Sequence, residues 1–407
     1  MTTQQRIILI LLASINFTHI LDFMVMMPLG NQLMPYFNIT PQAFSVIVAA
    51  YSISAFVSGL IAIFFVDRFD RKSILLFGYI GFVIGTALCA LAPTAFLLLL
   101  ARIVAGLFGG IIGAQVLSII SDAFDYEKRA QAMGYLFSAF SVASVVGVPL
   151  SLYLAQAITW HAPFYIIAGV GAAIVPLIMR YLQPMTSHIA QNAVREKPLQ
   201  ILKNILASKV NFTAFSLSGV LMFGHFLIIP FLNPYMELNV GFNEWQRNLV
   251  YIVGGVATMV SAPLVGKLAD KYGKHSIFTI FAILSLIPIV LITNMPAIKY
   301  YYVLAATGCW FVLSTGRNIP AQTIISNVVP PQYRGSFQSF NSCISQAFVG
   351  LATIVSGVVV STAPNGKLVN YNLVGYISIV VVVAAIFVAK QLPKQIAKAD
   401  AKAATEA

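Results

Sequence analysis

Gly266-Lys267-Leu268-Ala269-Asp270-Lys271-Tyr272-Gly273-Lys274 is a short basic loop with one acid, set between two apolar runs. Ile63-Phe64-Phe65-Val66-Asp67-Arg68-Phe69-Asp70-Arg71-Lys72 has the same setting in the first half of the chain, and Asp67 and Asp270 are 203 residues apart. Arg129-Ala130-Gln131 matches Arg334-Gly335-Ser336 at an offset of 205, and Asp22 lies 203 residues before His225. One such match is weak, but three in nearly one register read as a duplicated unit. Parallel repeats in a membrane place a binding site at their interface, near the bilayer midplane.

The rest of the sequence says why the loops are short. Of 407 residues, 59% are hydrophobic and 9% charged, against about 25% charged in a soluble globular chain. That excludes a soluble enzyme, a disordered chain and a disulfide scaffold. Twelve apolar segments lie near 7–29, 42–66, 73–92, 95–121, 130–155, 161–182, 210–236, 247–269, 274–295, 299–327, 335–362 and 370–392. Each is long enough to cross a bilayer as a helix. Lipid offers no partner to an unpaired backbone group, and continuous apolarity is not the alternation of a barrel. The expected fold class is therefore an all-α membrane protein of twelve transmembrane helices in two pseudo-symmetric six-helix bundles.

The formal net charge of +12 is a topology signal rather than a sign of nucleic-acid binding. Nineteen of the lysines and arginines fall on one side of the twelve spans, three (Arg247, Lys299, Lys367) on the other, and Arg102 and Arg317 inside spans. The positive-inside rule puts both termini in the cytoplasm, which needs an even number of spans. Expected units are a first bundle over 1–182, a linker over 183–209, a second bundle over 210–392 and a basic tail over 393–407. The linker has an interfacial helix near 199–206, and the tail is a frayed, solvated segment. Cys89, Cys309 and Cys343 are isolated in apolar runs, so neither a metal motif nor a disulfide framework is implied. No phosphate-binding loop is present, and no cofactor is expected.

At these loops the chain resembles the major facilitator superfamily, whose loop signature reads Gly-x-Leu-Ala-Asp-Arg-x-Gly-Arg-Lys. Gly266, Leu268, Ala269, Asp270, Gly273 and Lys274 match it in the second half. Asp67, Arg68, Arg71 and Lys72 match it in the first, where Ile63 and Asp70 stand in place of the glycines. Leu98-x-x-x-Arg102-x-x-x-Gly106 is similar to the family's span-4 arginine motif, and Gly147-Val148-Pro149 to the antiporter motif of bacterial sugar- and drug-efflux members. The resemblance covers essentially everything before the tail. It implies two bundles rocking about a central cavity, inner-gate latches involving Asp67, Arg68, Arg71, Asp270, Arg129 and Arg334, and a bend at Gly147 and Pro149 that limits proton leak.

Ionisable residues inside spans are costly and are functional candidates by default. Asp22 is the one acid well inside a span. It lies seven residues before the outer end of span 1, and Arg102 seven after the outer start of span 4, so both sit about 10 Å deep. Burial disfavours an ionised carboxyl and a guanidinium favours it, so Asp22 reads as a proton-coupling acid; a static packing ion pair is the competing reading. His225 in the matching place of the second half, and His19 one turn from Asp22, are further proton-exchange candidates. Arg317 has no depth-matched acid and is a candidate substrate contact. Asn16, Met26, Gln115, Asn233, Trp310 and Asn318 complete the candidate cavity with Arg102.

The expected function is a secondary transporter, a proton-coupled antiporter exporting small amphipathic molecules, drugs or sugars. A proton-coupled nutrient importer of the same fold is the alternative, and a membrane enzyme or scaffold a weaker one. Expected partners are a small-molecule substrate, protons and membrane lipid, with no nucleic acid, for a monomer in a bacterial inner membrane.

Overall fold

The structure is a computed structural model and describes residues 2–65, 68–124, 126–186, 208–329 and 334–406. Its first half contains α1 (Thr3–Met26), α2 (Gly30–Phe37), α3 (Pro41–Phe65), α4 (Arg71–Leu91), α5 (Ala95–Ala123), α6 (Tyr126–Val142), α7 (Val148–Ala157) and α8 (Ala162–Tyr181). The second contains α9 (Lys209–Phe226), α10 (Ile229–Leu238), α11 (Glu244–Tyr272), α12 (Lys274–Thr293), α13 (Tyr300–Ser326), α14 (Arg334–Val359) and α15 (Tyr371–Glu406). A two-residue hairpin, β1 (Ser361–Thr362) and β2 (Leu368–Val369), joins α14 to α15. The interfacial helix expected near 199–206 falls outside the described residues.

Eleven spans among the described residues are long and apolar enough to cross a membrane. The twelfth expected span is present as α13, 27 residues long. Arg317, Asn318 and Gln322 lower its apolarity, which is why composition alone undercounts it. Three spans are compound. Span 1 turns at Met27–Leu29 before α2, span 7 turns between α9 and α10, and span 5 carries a π turn, Ala143–Gly147, between α6 and α7. The tail departs from expectation: α15 continues through Pro393 to Glu406 as helix rather than fraying. Its run of alanines and lysines is a strong helix-forming composition.

The duplication is visible in the packing. α3 packs on α5 as α11 packs on α13, α4 on α5 as α12 on α13, and α4 on α8 as α12 on α15. The two halves meet along α3 and α14, and where the π turn and α7 touch α11. Small residues make these contacts close, since there is little hydrophobic drive between helices in lipid. A Cβ on Gly106 would lie 2.3 Å from the Tyr51 carbonyl oxygen, and one on Gly110 2.3 Å from that of Ala55, so α3 and α5 touch backbone to backbone. Gly113, one turn on, has nothing within 4 Å of its Cβ position.

Caps set the ends. Thr94 accepts from the Leu97 N–H to start α5, and Asn243 with Gln246 forms a capping box for α11. Asp70, where the family loop has glycine, caps α4: its carboxylate accepts from the Ser73 N–H at 3.1 Å and hydroxyl at 3.0 Å, and from the Met185 N–H at 2.5 Å. The departure from the motif therefore ties the loop to the exit of α8.

Gly106→Ala is expected to destabilise the purified protein by about 1–3 kcal/mol through forced separation of α3 and α5. Gly134→Ala, with open space at its Cβ, leaves thermal unfolding unchanged or slightly higher. Burial works against ionised Asp70, but its hydrogen bonds from Met185 and Ser73 outweigh that and hold the carboxyl below the usual range. A group with its folded pKa lowered contributes stability above its ordinary pKa and loses it as pH falls through the folded value. Asp70→Ala is thus expected to cost about 1 kcal/mol at neutral pH. The difference from wild type should shrink in acid, as a pH series of melting temperatures would show.

Candidate functional site

Asp22 and Arg102 meet as their depths require. Arg102 Nη1 donates to Asp22 Oδ2 at 2.7 Å, and Thr86 Oγ1 donates to Asp22 Oδ1 at 3.1 Å. The guanidinium carbon lies 4.5 Å from the centre of the Tyr51 ring, a cation–π contact. All four residues have 0% exposure. They come from α1, α3, α4 and α5, so the pair is enclosed within the first bundle. Each carboxylate oxygen has a donor, whereas Arg102 Nε and Nη2 and the Tyr51 hydroxyl have no hydrogen-bond partner. His19, one turn from Asp22, packs against Tyr51 and Phe82 at 6.0 and 5.7 Å between ring centres. His19 Nε2 and the Tyr51 hydroxyl converge on Gly109, where an added Cβ would lie 3.0 and 2.5 Å from them.

The second bundle has no counterpart of this ion pair among the described residues. His225, in the repeat position of Asp22, stacks on Trp310 with ring centres 5.0 Å apart and planes at 15°. Arg317 is fully buried and donates from Nη1 to Ser285 Oγ at 3.0 Å. Asn318 beside it is partly exposed.

The halves are joined at the end of the bundles remote from the termini. Asn233 donates to the Pro28 carbonyl, and Asn31 to Glu237, which also pairs with Arg247. Phe44 meets Phe231 at 6.2 Å and Phe23 meets Phe226 at 5.7 Å. Met26 is fully buried in the apolar core beside this seal. On the terminal side of Phe23, Asn16 is partly exposed and donates to the Leu136 carbonyl at 3.2 Å. Gln115 is buried with both amide atoms unpartnered.

Of the gating candidates, Arg71 is buried and pairs with Asp122 at 3.2 Å within its own bundle. Arg68 and Asp270 are exposed. Gly147 and Pro149 are buried; Gly147 lies against Leu21 of α1, and the π turn lies against Gly255 of α11. Asp67 and the side chains of Arg129 and Arg334 lie outside the described residues. Sequence reading missed Tyr51, Thr86, Asn31 and Glu237. The signal for Thr86 is its depth, five residues inside the end of α4 and so near the level of Asp22.

Residues 12–353 and 215–404 match the family model of the Major Facilitator Superfamily. The chain belongs to this superfamily. It is 24% identical over 369 residues to "Uncharacterized MFS-type transporter YwfA" of Bacillus subtilis (strain 168), covering 90% of this chain and 85% of that one. It is 26% identical over 220 residues to "Probable sugar efflux transporter" of Helicobacter pylori (strain G27), covering 54% of each. A bacterial homologue of the human lysosomal transporter Spinster, in its inward-facing and occupied conformation, superposes with a TM-score of 0.75 at 14% identity over 98% of each chain. Membership in the Major Facilitator Superfamily makes this chain an integral membrane transporter of small molecules.

Arg102→Met leaves a carboxylate with no counter-ion in an enclosed site, and such losses cost about 3–5 kcal/mol. The double variant Asp22→Asn, Arg102→Met removes both charges and is expected to recover part of that loss. A double-mutant cycle on thermal unfolding measures the coupling.

Proposed function

We propose that this superfamily member is a proton-coupled antiporter that exports small amphipathic molecules, drugs or sugars by alternating access, with both termini in the cytoplasm. The observation that carries the reading is the Asp22–Arg102 pair. It is a single carboxylate, sealed from solvent, whose two oxygens are both engaged and whose partner retains two unpartnered nitrogens, Nε and Nη2. Protonating Asp22 removes the counter-ion of a buried guanidinium, and in a low-dielectric site such a change is large enough to favour a different packing of the bundle. His19 and His225 lie in the two bundles as secondary proton carriers. The partly exposed Asn16 and Asn318 contribute to the substrate cavity, with Arg102, Arg317, Met26, Gln115, Asn233 and Trp310 behind or beside it.

Closure of the halves through Asn31, Glu237, Asn233 and Pro28, on the far side of the membrane from the termini, supports an inward-facing arrangement. Asp270 and Arg68, in the loops on the side of the termini, are solvent-exposed, as latch residues are once released. Asp67, Arg71, Arg129 and Arg334 complete the two latches, and Gly147 with Pro149 gives span 5 its bend. The basic loops support the cytoplasmic assignment, and the relative named for sugar efflux supports the direction.

The test is transport by purified protein in lipid vesicles under an imposed pH gradient. Wild type is expected to accumulate substrate against the direction of proton flow. Asp22→Asn is expected to lose gradient-driven accumulation while keeping exchange of labelled for unlabelled substrate without a gradient. Full coupling in Asp22→Asn would remove the acid's role, and accumulation in the direction of proton flow would make the protein an importer.

A further inference from the structure

The second bundle holds a cation that the first bundle's chemistry shows to be incomplete. Arg317 is enclosed, and Ser285 Oγ is its only hydrogen-bond partner among the described residues. That hydroxyl already donates to the Ala282 carbonyl at 2.8 Å. Arg317 Nε and Nη2 have no partner, nor do Ser314 Oγ and Trp310 Nε1. Residues 310, 314 and 317 are spaced four and three apart, which puts them on one face of α13. Long helical side chains run back toward the helix N-terminus, which along this face is the direction of Ser314 and Trp310. His225 stacks on Trp310 and is the partly exposed member of the group.

Arginine and tryptophan can only donate hydrogen bonds. A face of buried donors carrying a full positive charge calls for an acceptor with negative charge, because an isolated buried ion is expensive. In the first bundle Asp22 meets that need, accepting from Arg102 with one oxygen and from the Thr86 hydroxyl with the other. The second bundle supplies a guanidinium and a hydroxyl, but its repeat counterpart of Asp22 is His225. No described carboxylate pairs with Arg317. Water satisfies donors but leaves the charge uncompensated.

We propose that the face formed by Arg317, Ser314 and Trp310 binds a carboxylate group carried by a small organic molecule. The two carboxylate oxygens accept from the guanidinium edge and from the Ser314 hydroxyl or Trp310 indole N–H. This deepens the transport reading by giving the exported substrate an acid group, and rests on that reading only for the claim that the bound acid is cargo.

Binding is measured on the full chain in detergent with no gradient present, so its outcome is independent of transport. The probe is sodium benzoate, with benzamide as the neutral analogue of the same shape, at constant ionic strength. Benzoate is expected to raise the melting temperature saturably and to change the fluorescence of the tryptophans, whereas benzamide does neither. Arg317→Gln is expected to weaken benzoate binding by about tenfold or more, the scale of a lost charge-assisted hydrogen bond. Arg317→Lys keeps the charge without the planar fork and falls between. Should Arg317→Gln fail to elute as a monodisperse peak, Ser314→Ala and Trp310→Phe carry the same test, with several-fold weaker binding expected of each. Equal responses to benzoate and benzamide would overturn the proposal, as would wild-type benzoate affinity in the Arg317 or Ser314 and Trp310 variants.

Discussion

An ion taken out of water must meet its opposite within a few ångströms, or the structure bears several kcal/mol of desolvation. Asp22 and Arg102 satisfy that condition at 2.7 Å with no exposure on either side. The helices around them are arranged accordingly. α4 approaches closely enough for Thr86 to reach the second carboxylate oxygen, and α3 lays Tyr51 under the guanidinium. α5 is thinned to glycine at 106, 109 and 110, so that α3 and His19 can come near. The first bundle is therefore organised around one neutral pair of charges. That pair stays neutral only while Asp22 is ionised, so adding a proton disturbs packing at the centre rather than at the surface.

Much of this was readable in the chain. Twelve apolar runs are twelve helical spans, three of them compound, because lipid leaves the backbone no other partner. Asp22 and Arg102 could be placed together because helices convert residue number into depth at about 1.5 Å per residue. Neutral polar groups carry no such constraint, which is why Thr86 and Tyr51 were overlooked. The π turn at Ala143–Gly147 was also out of reach: Pro149 announces a disturbed helix, but not whether it kinks or widens. Asp70 shows the limit of motif reading. It looked like a defect in a glycine position, and only the approach of Met185 reveals it as a cap and a tie. In the tail the lysines point to a solvated segment, and the alanines between them make it helix.

The duplicated halves have diverged at their centres while keeping their packing. Equivalent helices touch in both, yet the acid of the first half is a histidine in the second, and that histidine lies flat against Trp310. The arginine of the second half sits ten residues further along its span than the repeat would place it, beside Ser285 rather than beside an acid. The shared scaffold positions the helices, and the few polar substitutions give each half its own electrostatics.

That difference has an electrical consequence. A complete pair of opposite charges carries no net charge through the membrane field, so the Asp22–Arg102 pair, with Asp22 ionised, couples to voltage only as a dipole. Arg317 has no such companion among the described residues, and a unit charge carried across the full potential exchanges about 2.3 kcal/mol for each 100 mV. Any rocking that shifts Arg317 through part of that field makes the resting voltage of the cell a bias on the second bundle.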